Sequence, residues 1–234
     1  MKKLLAAIPL VLGLGLTPPH ADADDNVVLV ELFTSQGCSS CPPADANLGT
    51  LLETSGVLGL SMHVDYWDYL GWRDTFGSRA HTERQFAYRD YMGGRVVYTP
   101  QMVVHGQHDV PGYKIDRLQN AIATAGSAPR ETTITIQDDG GMLKAVLSTE
   151  MDPGLCTIWM ASYDREQTVE IERGENAGRR LTYHNVVDKL MRVGQWTGSP
   201  QEISLPQPGA GQGVAIWVQD NRTGHVLAAS YIDG

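Results

Sequence analysis

The sequence predicts an α/β domain of order β-α-β-α-β-β-α, followed by an all-β, sandwich-like domain. Three observations carry this. Val27 to Phe33 is a short, nearly continuous apolar run, the mark of a strand covered on both faces. It runs through a turn-like Thr34 to Gly37 into a helix-opening Cys38-Ser39-Ser40-Cys41-Pro42-Pro43. Beyond the segment Gly126-Ser127-Ala128-Pro129-Arg130, the pattern changes to short strand-like runs punctuated by turns.

The elements follow in order. Ala44 to Glu53 places Ala44, Leu48, Leu51 and Leu52 on one side of a helix. Val57 to Val64 is a second apolar strand, and Asp65 to Thr75 a polar-aromatic loop. Ser78 to Tyr91 reads as a helix with Ser78 as its N-cap. Thr99-Pro100 precedes a strand at Gln101 to Val104, a turn at Gly106 allows another near His108 to Val110, and Lys114 to Thr124 closes with a helix. In the second half, strands are expected at Thr132 to Ile136, Met142 to Leu147, Leu155 to Ala161, Thr168 to Glu172, Ile203 to Leu205, Gly213 to Gln219 and Val226 to Tyr231. Asn185 to Met191 suits a helical turn or a strand.

The N-terminus sets the compartment. Lys2 and Lys3, the apolar Leu4 to Leu16 and the small residues of Ala21-Asp22-Ala23 make a secretory signal peptide, residues 1–23. The apolar run is short of the roughly 20 residues a membrane span needs. A secreted or periplasmic protein in an oxidising compartment is therefore expected, with no membrane attachment after cleavage. About 210 of the 234 residues remain, divided into 24–128 and 129–234. The net charge of −9 and the lack of a basic cluster argue against a nucleic-acid partner.

Of three cysteines, Cys38 and Cys41 stand at x-x spacing. Chance gives such a pair only roughly 2–3% of the time, so the spacing carries information. At the mouth of a helix the first thiol is acidified by the dipole and becomes the nucleophile, and the second, a turn later, resolves the mixed disulfide. Cys38 is the expected attacker and Cys41 the resolver. Glu31, seven residues before Cys38 in the leading strand, is a candidate proton acceptor, or else a structural hydrogen-bond partner. X-Pro bonds are the ones that adopt cis, so Thr99-Pro100 is a candidate for holding an extended substrate segment. Asp65 and Trp67 are expected at the rim, since their loop leaves the sheet at the same edge as the cysteines.

The strand–CxxCP–helix unit, the later Thr99-Pro100 and the element order resemble the thioredoxin-like fold in its glutaredoxin-type form. The resemblance implies that Cys38 and Cys41 are the redox pair and Pro100 a cis-proline. It departs at Ser39-Ser40 and in the long aromatic loop. A closer resemblance spans most of the mature chain. Val30 to Asp45, His63 to Asp68, Tyr98 to Val104 and Gly174 to Arg179 are similar to blocks of a bacterial secreted family called domain of unknown function 1223. That family implies a location and a fold, and no substrate.

The leading expectation is a thiol-disulfide oxidoreductase acting on protein or small-molecule thiols and disulfides, with no cofactor. The alternative is a copper or zinc carrier, with His63, His81, His105 and His108 as candidate ligands beside the thiolates. An inert structural disulfide is a third reading, in which so short a loop contributes roughly 2 kcal/mol. Cys156, among Thr157, Ile158 and Trp159, reads as a buried thiol, and Gly174 to Arg180 as a tight turn. The sequon at Asn221 is common by chance.

Overall fold

The computed structural model describes residues 26–138 and 140–234. The expected signal peptide lies outside the described residues. The first half contains β1 (Val28–Thr34), α1 (Pro42–Leu51), β2 (Val57–His63), α2 (Arg79–Tyr91), β3 (Gln101–Val104), β4 (His108–Pro111) and α3 (Ile115–Ser127). The second half contains β5 (Thr132–Asp138), β6 (Leu143–Thr149), β7 (Cys156–Glu170), β8 (Arg180–Trp196), β9 (Gln201–Leu205), β10 (Gln212–Asp220) and β11 (Val226–Asp233). Among the described residues, no helix is long and apolar enough to cross a membrane.

The expected fold class, a thioredoxin-like, glutaredoxin-type α/β domain followed by a separate sandwich, is overturned by the sheet order. Eight strands form one mixed sheet, β11-β10-β7-β8-β2-β1-β3-β4. Strands from the second half thus extend the sheet of the first across the outer edge of β2. The junction is the parallel pairing of Ser61 with Val186 and the hydrogen bond from Asn185 Nδ2 to the Gly59 carbonyl, 2.9 Å. An open β2 edge would present unpaired amides and carbonyls, and β8 covers that edge at this pairing. Among the described residues, β5, β6 and β9 form a second sheet. The two expected strands around residues 155–172 are one long strand, β7, paired along its length with β8; Asn185 to Met191 lies within β8.

The register explains the burial. In β1, Val28, Val30 and Leu32 join Ala44 and Leu48 of α1 and Leu118 of α3 in one core, while Leu29 and Phe33 point to the opposite face with Tyr88 of α2. In β10, Val214, Ile216 and Val218 pack with Ile134, Leu143 and Leu205 of the small sheet, while Ala215 and Trp217 join the α2 side. Central strands covered on both faces read as continuous apolar runs for this reason. Pro42 and Pro43 open α1, where an amide lacks an intrahelical partner anyway. Ser78 caps α2, its Oγ accepting from the Ala80 amide at 3.3 Å.

Candidate functional site

Cys38 and Cys41 are joined by a disulfide at the head of α1, with Cys41 at the N-cap position. The turn is built by short backbone bonds: the Cys38 amide donates to the Ser35 carbonyl (3.1 Å) and the Cys41 amide to the Cys38 carbonyl (3.2 Å). Ser40 Oγ lies 3.5 Å from Cys38 Sγ. Pro42 and Pro43 carry no N–H, so two amides that would face the sulfurs are missing, and with them part of the positive potential of the helix end.

Trp67, Thr99 and Pro100 converge on this turn. The Thr99–Pro100 bond is cis. The Trp67 indole N–H donates to Thr99 Oγ1 at 2.8 Å, and Trp67 Cβ lies 3.3 Å from where a Cβ on Gly37 would stand. Gly112 fits between Pro100 and α1: a Cβ there would approach Ala44 Cβ to 2.6 Å and Pro100 Cβ to 3.2 Å. Tyr69, 76% exposed, stacks on Trp67, leaving an aromatic surface beside the cis-proline.

The other two sequence candidates face elsewhere. Asp65 accepts the Thr82 hydroxyl at 2.6 Å and so ties its loop to α2. Glu31 alternates with Val30 and Leu32 and therefore lies on the α2 face of the sheet, whereas α1 covers the other. Its carboxylate accepts from Arg84 Nε and Nη2 and from the Tyr88 hydroxyl. The Arg84 guanidinium is held well above its ordinary range: burial works against the charge, and Glu31 outweighs it. Both Glu31 oxygens are engaged in this buried ion pair.

Four groups that sequence reading passed over dominate the surroundings of the disulfide. Gln36 is a hub. Its amide donates to Asp74 Oδ2 (2.7 Å), its side-chain nitrogen to Thr75 Oγ1 (2.8 Å), and its side-chain oxygen accepts from the Trp72 indole (2.8 Å). Asn176, buried in the β7–β8 turn, donates Nδ2 to the carbonyls of Gln36 (2.9 Å) and Cys38 (3.0 Å). Neighbouring Glu175 accepts the Ser39 amide at 3.2 Å. Residues 171–179 thus lie over the cysteine turn as a strap, and Cys38 is 3% and Cys41 0% exposed. Cys38, the expected attacker, is therefore enclosed in this closed arrangement. The sequence signal was the Gly174–Gly178 spacing, which reads as a turn without saying what the turn covers.

The third and fourth groups are Asp45 and Tyr183. Asp45 sits one helical turn beyond Cys41, its amide bonded to the Cys41 carbonyl at 3.1 Å. Oδ1 accepts the Thr34 hydroxyl at 2.7 Å; Oδ2 is buried with no protein partner. Burial pushes this carboxyl up to about 7, against the pull of His63 and the Thr34 hydrogen bond. His63, at the end of β2, holds Asp74 Oδ2 with Nδ1 at 2.8 Å, and its Nε2 is likewise buried without a partner. Burial raises the Asp74 carboxyl, but His63 and the Gln36 and Phe76 amides prevail and hold it below the ordinary carboxylate value. The Tyr183 ring of β8 packs edge-on against His63, centroids 4.8 Å apart, and its hydroxyl is a third buried atom with no protein partner.

The histidines do not gather around the sulfurs. His81 Nδ1 meets the His63 carbonyl at 2.9 Å, and His105 Nδ1 accepts the Leu29 amide at 3.3 Å. Among the described residues, no group of three or more His, Cys, Asp or Glu side chains is placed to hold a metal ion. Cys156 is a buried free thiol in the core under the small sheet.

Residues 29–219 match the family described as "Protein of unknown function (DUF1223)". The crystal structure of protein AGR_C_4864 from Agrobacterium tumefaciens is similar, with 32% sequence identity and a TM-score of 0.75 over 91% of this chain and 96% of that one. No curated protein matches.

Proposed function

Because the chain belongs to the DUF1223 family, which carries no assigned activity, the chemistry must come from its own residues, and we propose that it is a thiol-disulfide oxidoreductase of a secreted or periplasmic compartment. The observation that carries this is the Cys38–Cys41 disulfide at the head of α1 with the cis Thr99–Pro100 segment and Trp67 beside it. A disulfide placed only for stability needs no such surroundings. In the reaction, a partner thiolate attacks Cys38 Sγ, breaks the Cys38–Cys41 bond and releases Cys41. A second partner thiolate then attacks the partner sulfur of the mixed disulfide, forming the partner disulfide and releasing Cys38 as a thiolate. In the reverse direction Cys38 attacks a partner disulfide, and Cys41 then attacks Cys38 Sγ, releases the partner thiolate and re-forms the Cys38–Cys41 bond. Thr99 and Pro100 would lie along an extended partner segment, with Trp67 and Tyr69 as its aromatic floor.

The strap makes access conditional. With Asn176 bonded to the Cys38 carbonyl, a partner sulfur reaches Cys38 only when residues 171–179 lift. The metal-carrier alternative gains no support, because none of the candidate histidines joins the cysteines in a ligand set.

The test is turnover of a protein disulfide and of glutathione disulfide, with the reduction potential of the pair. The wild type should catalyse exchange, Cys38→Ala should be inactive, and Cys41→Ser should accumulate a one-to-one mixed disulfide through Cys38. Equal rates for Cys38→Ala and the wild type would end this reading.

A further inference from the structure

Three buried polar atoms near the cysteine turn come from three separate elements and lack protein partners: Asp45 Oδ2 on α1, His63 Nε2 on β2 and the Tyr183 hydroxyl on β8. Native proteins rarely leave such atoms unsatisfied, and clusters of them mark functional chemistry or strain. Asp45 adjoins the disulfide turn, its amide bonded to the Cys41 carbonyl at 3.1 Å, and the Tyr183 ring packs on His63 with centroids 4.8 Å apart. Asp45 follows Cys41 by four residues, and the continuous helical backbone puts the two side chains on one face. His63 stands opposite Thr34 in the parallel β1–β2 register, and the Thr34 hydroxyl holds Asp45 in place.

We propose that Asp45, backed by the His63–Asp74 pair and Tyr183, takes the proton from the Cys41 thiol when Cys41 resolves the mixed disulfide. This rests on the exchange reading above. The step balances as follows. Cys38 is joined to a partner sulfur, Cys41 is a thiol and Asp45 a carboxylate. The Cys41 proton passes to the free oxygen of Asp45. The Cys41 sulfur forms the bond to Cys38 Sγ, and the electron pair of the Cys38–partner bond leaves with the partner as a thiolate. The two enzyme thiols are oxidised, and the partner disulfide is reduced by two electrons. Asp45 then returns its proton to solvent through the groove of about 660 Å³ that it lines with Pro42, Gly49, Arg179 and His184. In the opposite direction Asp45 delivers the proton to Cys41 as it departs.

The environment suits the task. A base that must both accept and release a proton works best when its affinity lies near the working pH, and burial has moved Asp45 there. His63 faces it from β2, Asp74 from the loop after β2, Arg179 from the end of the strap and Arg180, Tyr183 and His184 from β8, while Glu53 closes the groove beyond the far end of α1. His63 favours the carboxylate and Asp74 the acid, so the pair sets the balance.

The experiment loads Cys38 of the reduced full chain with one equivalent of 5-thio-2-nitrobenzoate and follows its release by Cys41 across pH. In the wild type the rate should rise through an inflection near neutrality. In Asp45→Asn it should fall about 100-fold at pH 7, lose that inflection and climb with the ordinary thiol ionisation of Cys41. An unchanged inflection, with a rate within a few-fold of wild type, overturns the proposal. Carbon-13 NMR titration of the Asp45 carboxyl in the unmodified protein decides the matter if the variant does not fold. Titration near neutrality that shifts when the cysteines are reduced supports the role. Ordinary acidity indifferent to redox state overturns it. A wild type that resolves its mixed disulfide but turns over no partner disulfide sinks the oxidoreductase reading and leaves this step standing; a Cys38 that cannot be loaded sinks both.

Discussion

At the scale of single residues, burial decides which charges and donors this protein can carry. Glu31 and Arg84 are both almost fully enclosed, and each is tolerated only because the other is present and Tyr88 and Gln219 satisfy what remains. Such a pair contributes little net stability, yet removing one partner strands a charge at a cost of about 3–5 kcal/mol. Two histidines are buried in a different way. His105 accepts the Leu29 amide on Nδ1, and burial, aided by Arg130, pushes it down to about 3; His81 is pushed by burial down to about 4. The folded protein keeps both neutral, whereas the unfolded chain protonates them below about 6.5. The unfolded state therefore binds more protons in this window, and stability falls as pH drops from about 6.5 towards 4, by up to about 1.4 kcal/mol per pH unit for each ring. His105→Asn should keep the acceptor and tolerate the positive φ of 53° at this site. Its urea-unfolding free energy should lose about one proton of pH dependence between pH 6 and 4; an unchanged slope would refute the assignment.

At the scale of elements, the β7–β8 turn acts on the cysteines without contributing a sulfur. Its grip is two hydrogen bonds donated by Asn176 and one accepted by Glu175 from the Ser39 amide, and its packing is Gly174 against Trp72 of the aromatic loop. Gln36 joins that loop to the cysteine turn, so turn, loop and strap form one hydrogen-bonded unit at the end of β1. Loss of the Asn176 amide leaves two carbonyls without their donor, a cost of about 1–3 kcal/mol charged to the closed state alone. Asn176→Ala should therefore raise the population of the lifted strap by about 5- to 150-fold. The rate at which a protein dithiol reduces the disulfide should rise by that factor, and the rate with a small phosphine by less. Equal effects on both reductants, or none, would show that the strap does not gate access.

At the scale of the whole molecule, the second half completes the first. Gly106, in the β3–β4 turn, has φ +68° and sits so close to the β10–β11 turn that a Cβ would lie 2.1 Å from the Gly224 carbonyl oxygen. The Val226 amide donates to the His105 carbonyl at 3.0 Å across the same contact. Trp217 of β10 stacks with Trp159 and lies under Arg84, joining the core that α2 covers. A chain ending at residue 128 would expose that apolar face and the β2 edge together. It should be insoluble or lack a cooperative thermal transition, as calorimetry would show; a sharp transition in the fragment would refute this.

The sequence by itself determined the local pieces. The apolar run of β1, the Cys38-Ser39-Ser40-Cys41-Pro42-Pro43 opening of α1, the Ser78 cap and the placing of Thr99-Pro100 before β3 are written in consecutive residues, because helix capping, proline geometry and strand periodicity are short-range effects. Which edges pair was not legible. Alternation in β8 and β10 says that each strand has buried faces, and is equally compatible with a separate sandwich or with an extension of the β2 edge, since backbone hydrogen bonds carry no address. Only the tertiary structure chose the second, and that choice brought Tyr183 and the strap to α1. It also buried Asp45, which in sequence is an ordinary first-turn acid, and set Glu31 on the far face of the sheet. The chemistry around the sulfurs depends on strands more than a hundred residues away, because β8 meets β2 across a sheet edge whose free amides and carbonyls had to be satisfied.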